Sequence, residues 1–333
     1  MIHLDIQPDT IVDLPSPGKA PGQCHVFDEK SIDAVNAALA AQRPLLLRGE
    51  PGTGKTQLAR AAAKCLNWAF ISRTLDAKCE ADDLFYKMDA VSRLGEAQII
   101  GALGAAVKKK SGDPQENNAD PQQDIRAQLA ESRFLHPGPM WWAFNWPSAA
   151  RQAQIVRDDP PSQWDDGEHD KGCVLLIDEI DKADHDVPNG LLEAFGNGRF
   201  HPLAMDEAVV RNDKPLLIIV TTNEEKALPD AFLRRCLVHH LCFEKGEALD
   251  RQLVKHGRAH FPKVADNVLS EAARQLRKDR EKWLDKNMPA PGMAEYLDLV
   301  RAVSEMKSSS DEQLALLQEI KDFVLKKHPM ERA

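Results

Sequence analysis

Eight residues, Gly49-Glu50-Pro51-Gly52-Thr53-Gly54-Lys55-Thr56, constrain this chain more than any other stretch. They complete the pattern G-x-x-x-x-G-K-[ST], and the flanks suit it. Pro44-Leu45-Leu46-Leu47-Arg48 reads as a short buried strand running into the loop. Residues 57–66, QLARAAAKCL, carry apolar side chains at helical spacing and read as a helix running out of it. Glycines let a backbone curl so that successive N–H groups converge on phosphate oxygens, and a helix N-terminus adds its positive end. In such a loop Lys55 reaches the β- and γ-phosphates, and the Thr56 hydroxyl is suited to ligating Mg²⁺. Gly49 through Gln57 therefore form the expected nucleotide-binding stretch.

The 333 residues suit one large α/β domain with a smaller one beside it. The formal net charge of −9 supplies no overall electrostatic pull toward nucleic acid or anionic membranes, although a local basic groove is compatible with it. Six cysteines, Cys24, Cys65, Cys79, Cys173, Cys236 and Cys242, are scattered without a C-x-x-C pair. They read as reduced thiols, not as a zinc or disulfide framework. Residues 1–23 hold no basic-then-apolar leader and no run of about 18 apolar residues occurs, so a cytoplasmic protein without membrane insertion is expected.

In chain order, residues 1–24 are rich in Pro and Gly and read as an irregular arm. A helix is expected over 29–41 and a second strand over 68–73. Ala81-Asp82-Asp83-Leu84 resembles a helix start. Residues 108–124 are polar and open on Lys108-Lys109-Lys110, reading as an inserted loop with a solvated helix end. The stretch RFLHPGPMWWAFNWP, 133–147, crowds three tryptophans around a turn. It suits a packed corner or subunit contact better than a base-stacking platform, because no lysines or arginines interleave with it. Residues 158–172 read as an acidic loop whose His169 lacks metal-ligand spacing. CVLLI, 173–177, and LLIIV, 216–220, are apolar runs of strand length, read as central strands buried on both faces. A hairpin is expected around 200–213 and a last strand over 237–243. Beyond a break near 244–246 only helices are expected, over 248–256, 268–283, 294–306 and 312–327. The domains expected are thus 1–24, 25–245 and 246–333.

Two further pieces join the loop. CVLLI ends in Asp178-Glu179. Asp178 at a strand tip can hold Mg²⁺ directly or through water, and Glu179 can take a proton from an attacking water. Asn223 follows the other central strand, where an amide can bond a γ-phosphate or that water. Arg234 and Arg235 precede the last strand, where an arginine can reach a neighbouring subunit's γ-phosphate. Arginines acting that way require a ring or another head-to-tail oligomer.

The order of these pieces, with Val174-Leu175-Leu176-Ile177-Asp178-Glu179-Ile180-Asp181, Thr222-Asn223 and Leu233-Arg234-Arg235, resembles the AAA+ ATPases, and within them the MoxR group. Arg133-Phe134…Pro137-Gly138-Pro139, Leu191-Leu192-Glu193-Ala194-Phe195…Gly198-Arg199-Phe200 and Leu228-Pro229-Asp230-Ala231-Phe232 support the narrower likeness. The resemblance spans roughly residues 27–303. It implies a P-loop NTPase fold: a three-layer αβα domain with a parallel five-stranded sheet, order 5-1-4-3-2, and a small C-terminal helical lid. It also implies ATP and Mg²⁺ as ligands, a homo-oligomer that is a hexameric ring, and chaperone-like remodelling of a protein partner, one with a von Willebrand factor A domain among them. Lys55 and Thr56 then take the Walker A roles, Asp178 and Glu179 the Walker B roles, and Asn223 that of sensor 1. Arg235 matches the arginine finger, with Arg234 the alternative. The family's lid arginine is missing where Met293 and Ala294 stand, and Arg301 lies two turns on. Two other readings stay open: an NTPase acting on nucleic acid, like the restriction motors, and an ATP-binding switch with weak hydrolysis. No base-reading motif separates ATP from GTP.

Overall fold

The structure is a computed structural model and describes residues 2–15, 23–108, 129–163, 167–203, 205–286 and 288–325. Two short strands, β1 (Ile11–Leu14) and β2 (Gln23–Val26), precede helix α1 (Glu29–Ala41). Then come β3 (Leu45–Arg48), α2 (Lys55–Leu66), β4 (Trp68–Thr74), β5 (Tyr86–Met88), α3 (Ala90–Lys108), β6 (Leu135–Pro137), α4 (Pro139–Phe144) and α5 (Trp146–Val156). Next are β7 (Glu168–Asp178), α6 (Asp186–Asn197), β8 (Arg199–Phe200), β9 (Val209–Val210), β10 (Leu216–Thr222), α7 (Asp230–Leu233) and β11 (Leu237–His240). Four helices close the described chain: α8 (Glu247–His260), α9 (Asp266–Asp285), α10 (Met293–Met306) and α11 (Ser310–Leu325).

Alternation along the central strands builds the layers. Leu46, Leu175, Ile177, Ile218 and Val220 face one core, shared with Trp141, Trp142, Phe144 and Leu191 from α4 and α6. Leu45, Leu47, Val174, Leu176, Leu217 and Ile219 face the opposite core, shared with Val35 of α1 and Leu58 and Ala62 of α2. Successive side chains of a strand point to opposite faces, so both faces of these strands must be apolar. That requirement is what LLL, CVLLI and LLIIV meet. The five strands run parallel in the order β11-β3-β10-β7-β4, which is the expected 5-1-4-3-2 order. The lid helices α8 to α11 pack around a third core that includes Leu253, Leu269, Leu276, Tyr296 and Val303.

Three expectations need correction. Residues 11–14 are not irregular: they pair antiparallel with β2, Ile11 opposite Val26, and bury Val12 and Leu14 by simple alternation. The stretch 81–84 starts no α-helix, only a 3₁₀ turn at Asp82–Leu84 ahead of β5. The acidic loop ends sooner than 172, because β7 begins at Glu168, whose N–H donates to the Asn67 carbonyl at 3.2 Å and extends the pairing with β4. Trp141 and Trp142 are buried, and the Trp141 indole N–H donates to Ser148 Oγ at 3.2 Å. Those two rings are packing. Trp146, partly buried, stacks on His169 with centroids 4.7 Å apart. The inserted segment beyond Lys108, with Lys109 and Lys110, lies outside the described residues. No helix among the described residues is long and apolar enough to cross a membrane.

Candidate functional site

The phosphate-type loop leaves the C-terminal end of β3, between β11 and β10 in the sheet. Gly49 has φ +152°, and a Cβ there would lie 2.2 Å from the Leu241 carbonyl oxygen, so the loop clears the end of β11 only as glycine. Gly54, at φ +92°, precedes α2 and provides no side-chain cap, which leaves the first N–H groups of α2 free for an anion. Lys55 is buried, and its Nζ donates to the Gly49 carbonyl at 2.7 Å, the Glu50 carbonyl at 3.0 Å and Asn223 Oδ1 at 2.7 Å. Burial pulls the Lys55 ammonium below the usual lysine range, against the carboxylates of Asp178, Asp181, Glu179 and Glu50, which hold it up. Thr53 Oγ donates to the Glu50 carbonyl at 2.9 Å, tightening the turn around Pro51 and Gly52. Gln57 lies half-buried on the first turn of α2. A curled backbone, an uncapped helix start and a buried ammonium together fit a polyphosphate.

The acidic half of the site stands at the tips of β7 and β10. The Thr56 hydroxyl donates to Asp178 Oδ2 at 3.0 Å, so the two groups suited to Mg²⁺ meet across the loop. With a hard divalent cation bound there, Thr56 and Asp178 supply oxygen ligands of the right kind, and the ion would offset charge on phosphate oxygens. Thr221 donates from Oγ to Asp178 Oδ1 at 2.5 Å and accepts the Glu179 N–H at 2.9 Å. Glu179 adopts φ 60° and ψ 48°, a left-handed conformation that costs a non-glycine residue roughly 1–2 kcal/mol. Its Oε1 accepts from Asn223 Nδ2 at 3.4 Å, and its Oε2 pairs with Lys182 Nζ at 2.9 Å. That pairing raises Lys182 above the usual lysine range. Asn223 thus bridges Lys55 and Glu179.

Behind this row lies Asp181, 1% exposed, whose Oδ2 accepts the N–H groups of Asn223 at 3.2 Å and Glu225 at 2.9 Å. It clamps the turn after β10 onto the end of β7. Sequence alone does not single out Thr221, Asp181 and Lys182, although Thr221 stands two residues before Asn223 and Lys182 three after Glu179.

Arg234 and Arg235 are exposed beyond α7, and neither hydrogen-bonds the loop, Asp178 or Glu179. Arg235 Nη1 donates to the Ala231 carbonyl at 3.2 Å. Arg43 Nε donates to the Arg235 carbonyl at 3.1 Å, and its Nη2 to that of Arg234, fixing the backbone that presents both side chains. In the lid, Arg301 pairs with Asp298 at 3.3 Å, away from the loop. The arginine that does reach the loop is Arg280 of α9, whose Nη2 donates to both Glu50 carboxylate oxygens at 2.7 Å. Nothing in the highly charged run RKDREK marks Arg280 as buried.

The family model described as AAA domain (dynein-related subfamily) matches residues 44–236. No curated protein matches the chain. Among solved structures, a mutant form of RuvB from Thermotoga maritima is similar at a TM-score of 0.45 and 15% identity, over 88% of this chain and 68% of that one. The Thermotoga maritima RuvB Holliday junction branch migration motor is similar at 0.41 and 15%, over 88% and 67%. The family match spans more than half of the chain and covers the phosphate loop, Asp178-Glu179 and Asn223 alike. This chain belongs to the AAA domain family, dynein-related subfamily.

Proposed function

We propose that the protein is a Mg²⁺-dependent ATPase working as an oligomeric ring, MoxR-like in kind, that remodels or matures a protein partner. The observation that carries the reading is the unbroken chain of contacts Lys55–Asn223–Glu179, beside Thr56–Asp178. Phosphoryl transfer needs little covalent help from a protein; it needs phosphate held, charge neutralised and water aligned. In this reading the residues from Gly49 to Gln57 cradle the phosphates, and Lys55 neutralises charge on them. Thr56 and Asp178 hold the metal, Glu179 accepts the proton of the attacking water, and Asn223 aligns that water against the terminal phosphate. Arg235, with Arg234 beside it, completes the site of the next protomer, which agrees with their exposure and with the Arg43 brace behind them. The acidic balance of the chain favours a protein partner over nucleic acid, a von Willebrand factor A domain protein being the partner class that MoxR relatives suggest.

The test is steady-state ATP hydrolysis against protein concentration, for the wild type, Glu179→Gln and Arg235→Ala. Specific activity should climb with concentration, and both variants should lose at least about a hundredfold in rate while still binding ATP. Activity that is flat with concentration and indifferent to Arg235→Ala would remove the shared site.

A further inference from the structure

The lid touches the phosphate loop on its outer side, away from Lys55. Arg280 is 5% exposed and fully committed: Nη2 donates to both oxygens of Glu50 at 2.7 Å, Nη1 donates to the Pro291 carbonyl at 3.1 Å, and the guanidinium lies over the Phe243 ring at 4.5 Å. The turn that Arg280 holds leads directly into α10. There a Cβ on Gly292 would lie 2.9 Å from the Phe243 ring and 3.5 Å from the Pro51 carbonyl oxygen, and Ala294 lies 3.6 Å from where a Gly52 Cβ would stand. The lid therefore grips Glu50, Pro51 and Gly52 in succession.

Glu50 is the residue through which this grip meets the inside of the loop. Its carboxylate belongs to Arg280, while its carbonyl accepts from Lys55 Nζ at 3.0 Å and from Thr53 Oγ at 2.9 Å. A phosphate that draws Lys55 away from that carbonyl changes the loop at the very residue the lid holds. Charge-assisted hydrogen bonds to a buried guanidinium are strong and geometrically demanding, so the loop and the lid settle into one joint arrangement.

Resting on the reading of this loop as a nucleotide site, we propose that Glu50–Arg280 is a clamp by which the lid sets the affinity for nucleoside diphosphate and triphosphate alike. Arg280 acts as a positioning residue for the loop and makes no contact with the terminal phosphate. The lid in this protein reads whether the loop is filled, and is blind to how many phosphates fill it.

Fluorescently labelled ADP and a labelled non-hydrolysable ATP analogue, titrated onto the full chain, test this. The proteins compared are the wild type, Glu50→Gln, Arg280→Gln and the double variant. Each single change should weaken both nucleotides by the same factor, about tenfold, with the double variant no weaker than the worse single one. A loss confined to the triphosphate analogue, additive losses, or unchanged binding in Glu50→Gln would each overturn the clamp. Glu50 is half exposed on a surface loop, so Glu50→Gln decides the matter even if Arg280→Gln fails to fold. A wild type that binds neither nucleotide would instead overturn the nucleotide site itself, and the clamp with it.

Discussion

Thr221 ties the Asp178 carboxylate to the Glu179 backbone through a single oxygen. It donates to Asp178 Oδ1 and receives the backbone N–H of Glu179, so it holds the Asp178 carboxylate and the strained turn at Glu179 at once. Valine matches its shape and lacks both functions, leaving the Glu179 N–H without a partner. Thr221→Val should therefore fold and bind nucleotide, yet lose about ten- to a hundredfold in the rate at saturating ATP, since groups that orient ligands carry effects of that size. Steady-state hydrolysis beside a thermal melt checks it. Thr221 stands two residues before Asn223 in the sequence, but nothing there marks its role, because a threonine near the end of a buried strand packs well in any sheet. Asp181 was hidden for the opposite reason. A third acidic residue after Asp178-Glu179 reads as surface, and only the fold reveals it 1% exposed beneath two N–H groups.

At the scale of elements, the short helix α4 matters out of proportion to its six residues. Trp141, Trp142 and Phe144 are buried on the sheet face opposite α2, and Phe200 meets Trp141 edge-on with centroids 6.1 Å apart. Trp141→Ala should cost about 3–5 kcal/mol of stability, read from urea unfolding, because no neighbouring element can collapse into so large a gap. The elements most legible in the sequence were those whose residues face apolar surroundings on both sides. LLL, CVLLI and LLIIV announce central strands, and the glycine loop fixes which of them comes first. Where the pattern carried two meanings, reading failed. IVDL sits among prolines, so its alternation reads as part of an irregular arm, although Val12 and Leu14 enter the core. The strand β7 begins five residues early because Asn67 offers a carbonyl to Glu168, a tertiary contact no local pattern encodes. Arg280 is the extreme case, lying in a helix so rich in charge that its one buried cation looks like its exposed neighbours.

Across the whole molecule, the antiparallel β1–β2 pair lies between the nucleotide half and the lid. His25 is buried between the two, its ring edge-on to Phe27 with centroids 4.7 Å apart and its Nε2 without a partner among the described residues. Burial, then the neighbouring His256, push His25 down to about 3, against Asp28, which raises it. Burial, then His260 and Lys255, push His256 down to about 4, again with Asp28 opposing. His260 is lowered by burial and by Arg301, against its bond to the Cys24 backbone and against Asp13. All three are thus held neutral when folded, while in the unfolded chain each takes up a proton near 6.5. The unfolded state binds more protons between about 6.5 and 4, so stability is full above that window and falls as pH drops through it. His25 alone should contribute a loss of about 2 kcal/mol at pH 5, with His256 adding in the same direction. Melting at pH 7.5 and pH 5 should differ by several degrees, and His25→Phe should flatten part of that difference.

The clamp between Glu50 and Arg280 also sets a timetable. The two residues are 230 positions apart, so a ribosome adding roughly 5–20 residues per second delivers the second about 10 to 50 s after the first. Throughout that interval the emerging chain carries the residues of the phosphate loop and no hand to close them. Under this proposal its grip on nucleotide is set late in synthesis, when α9 and the turn after it have emerged, seconds after the residues that would spend the nucleotide.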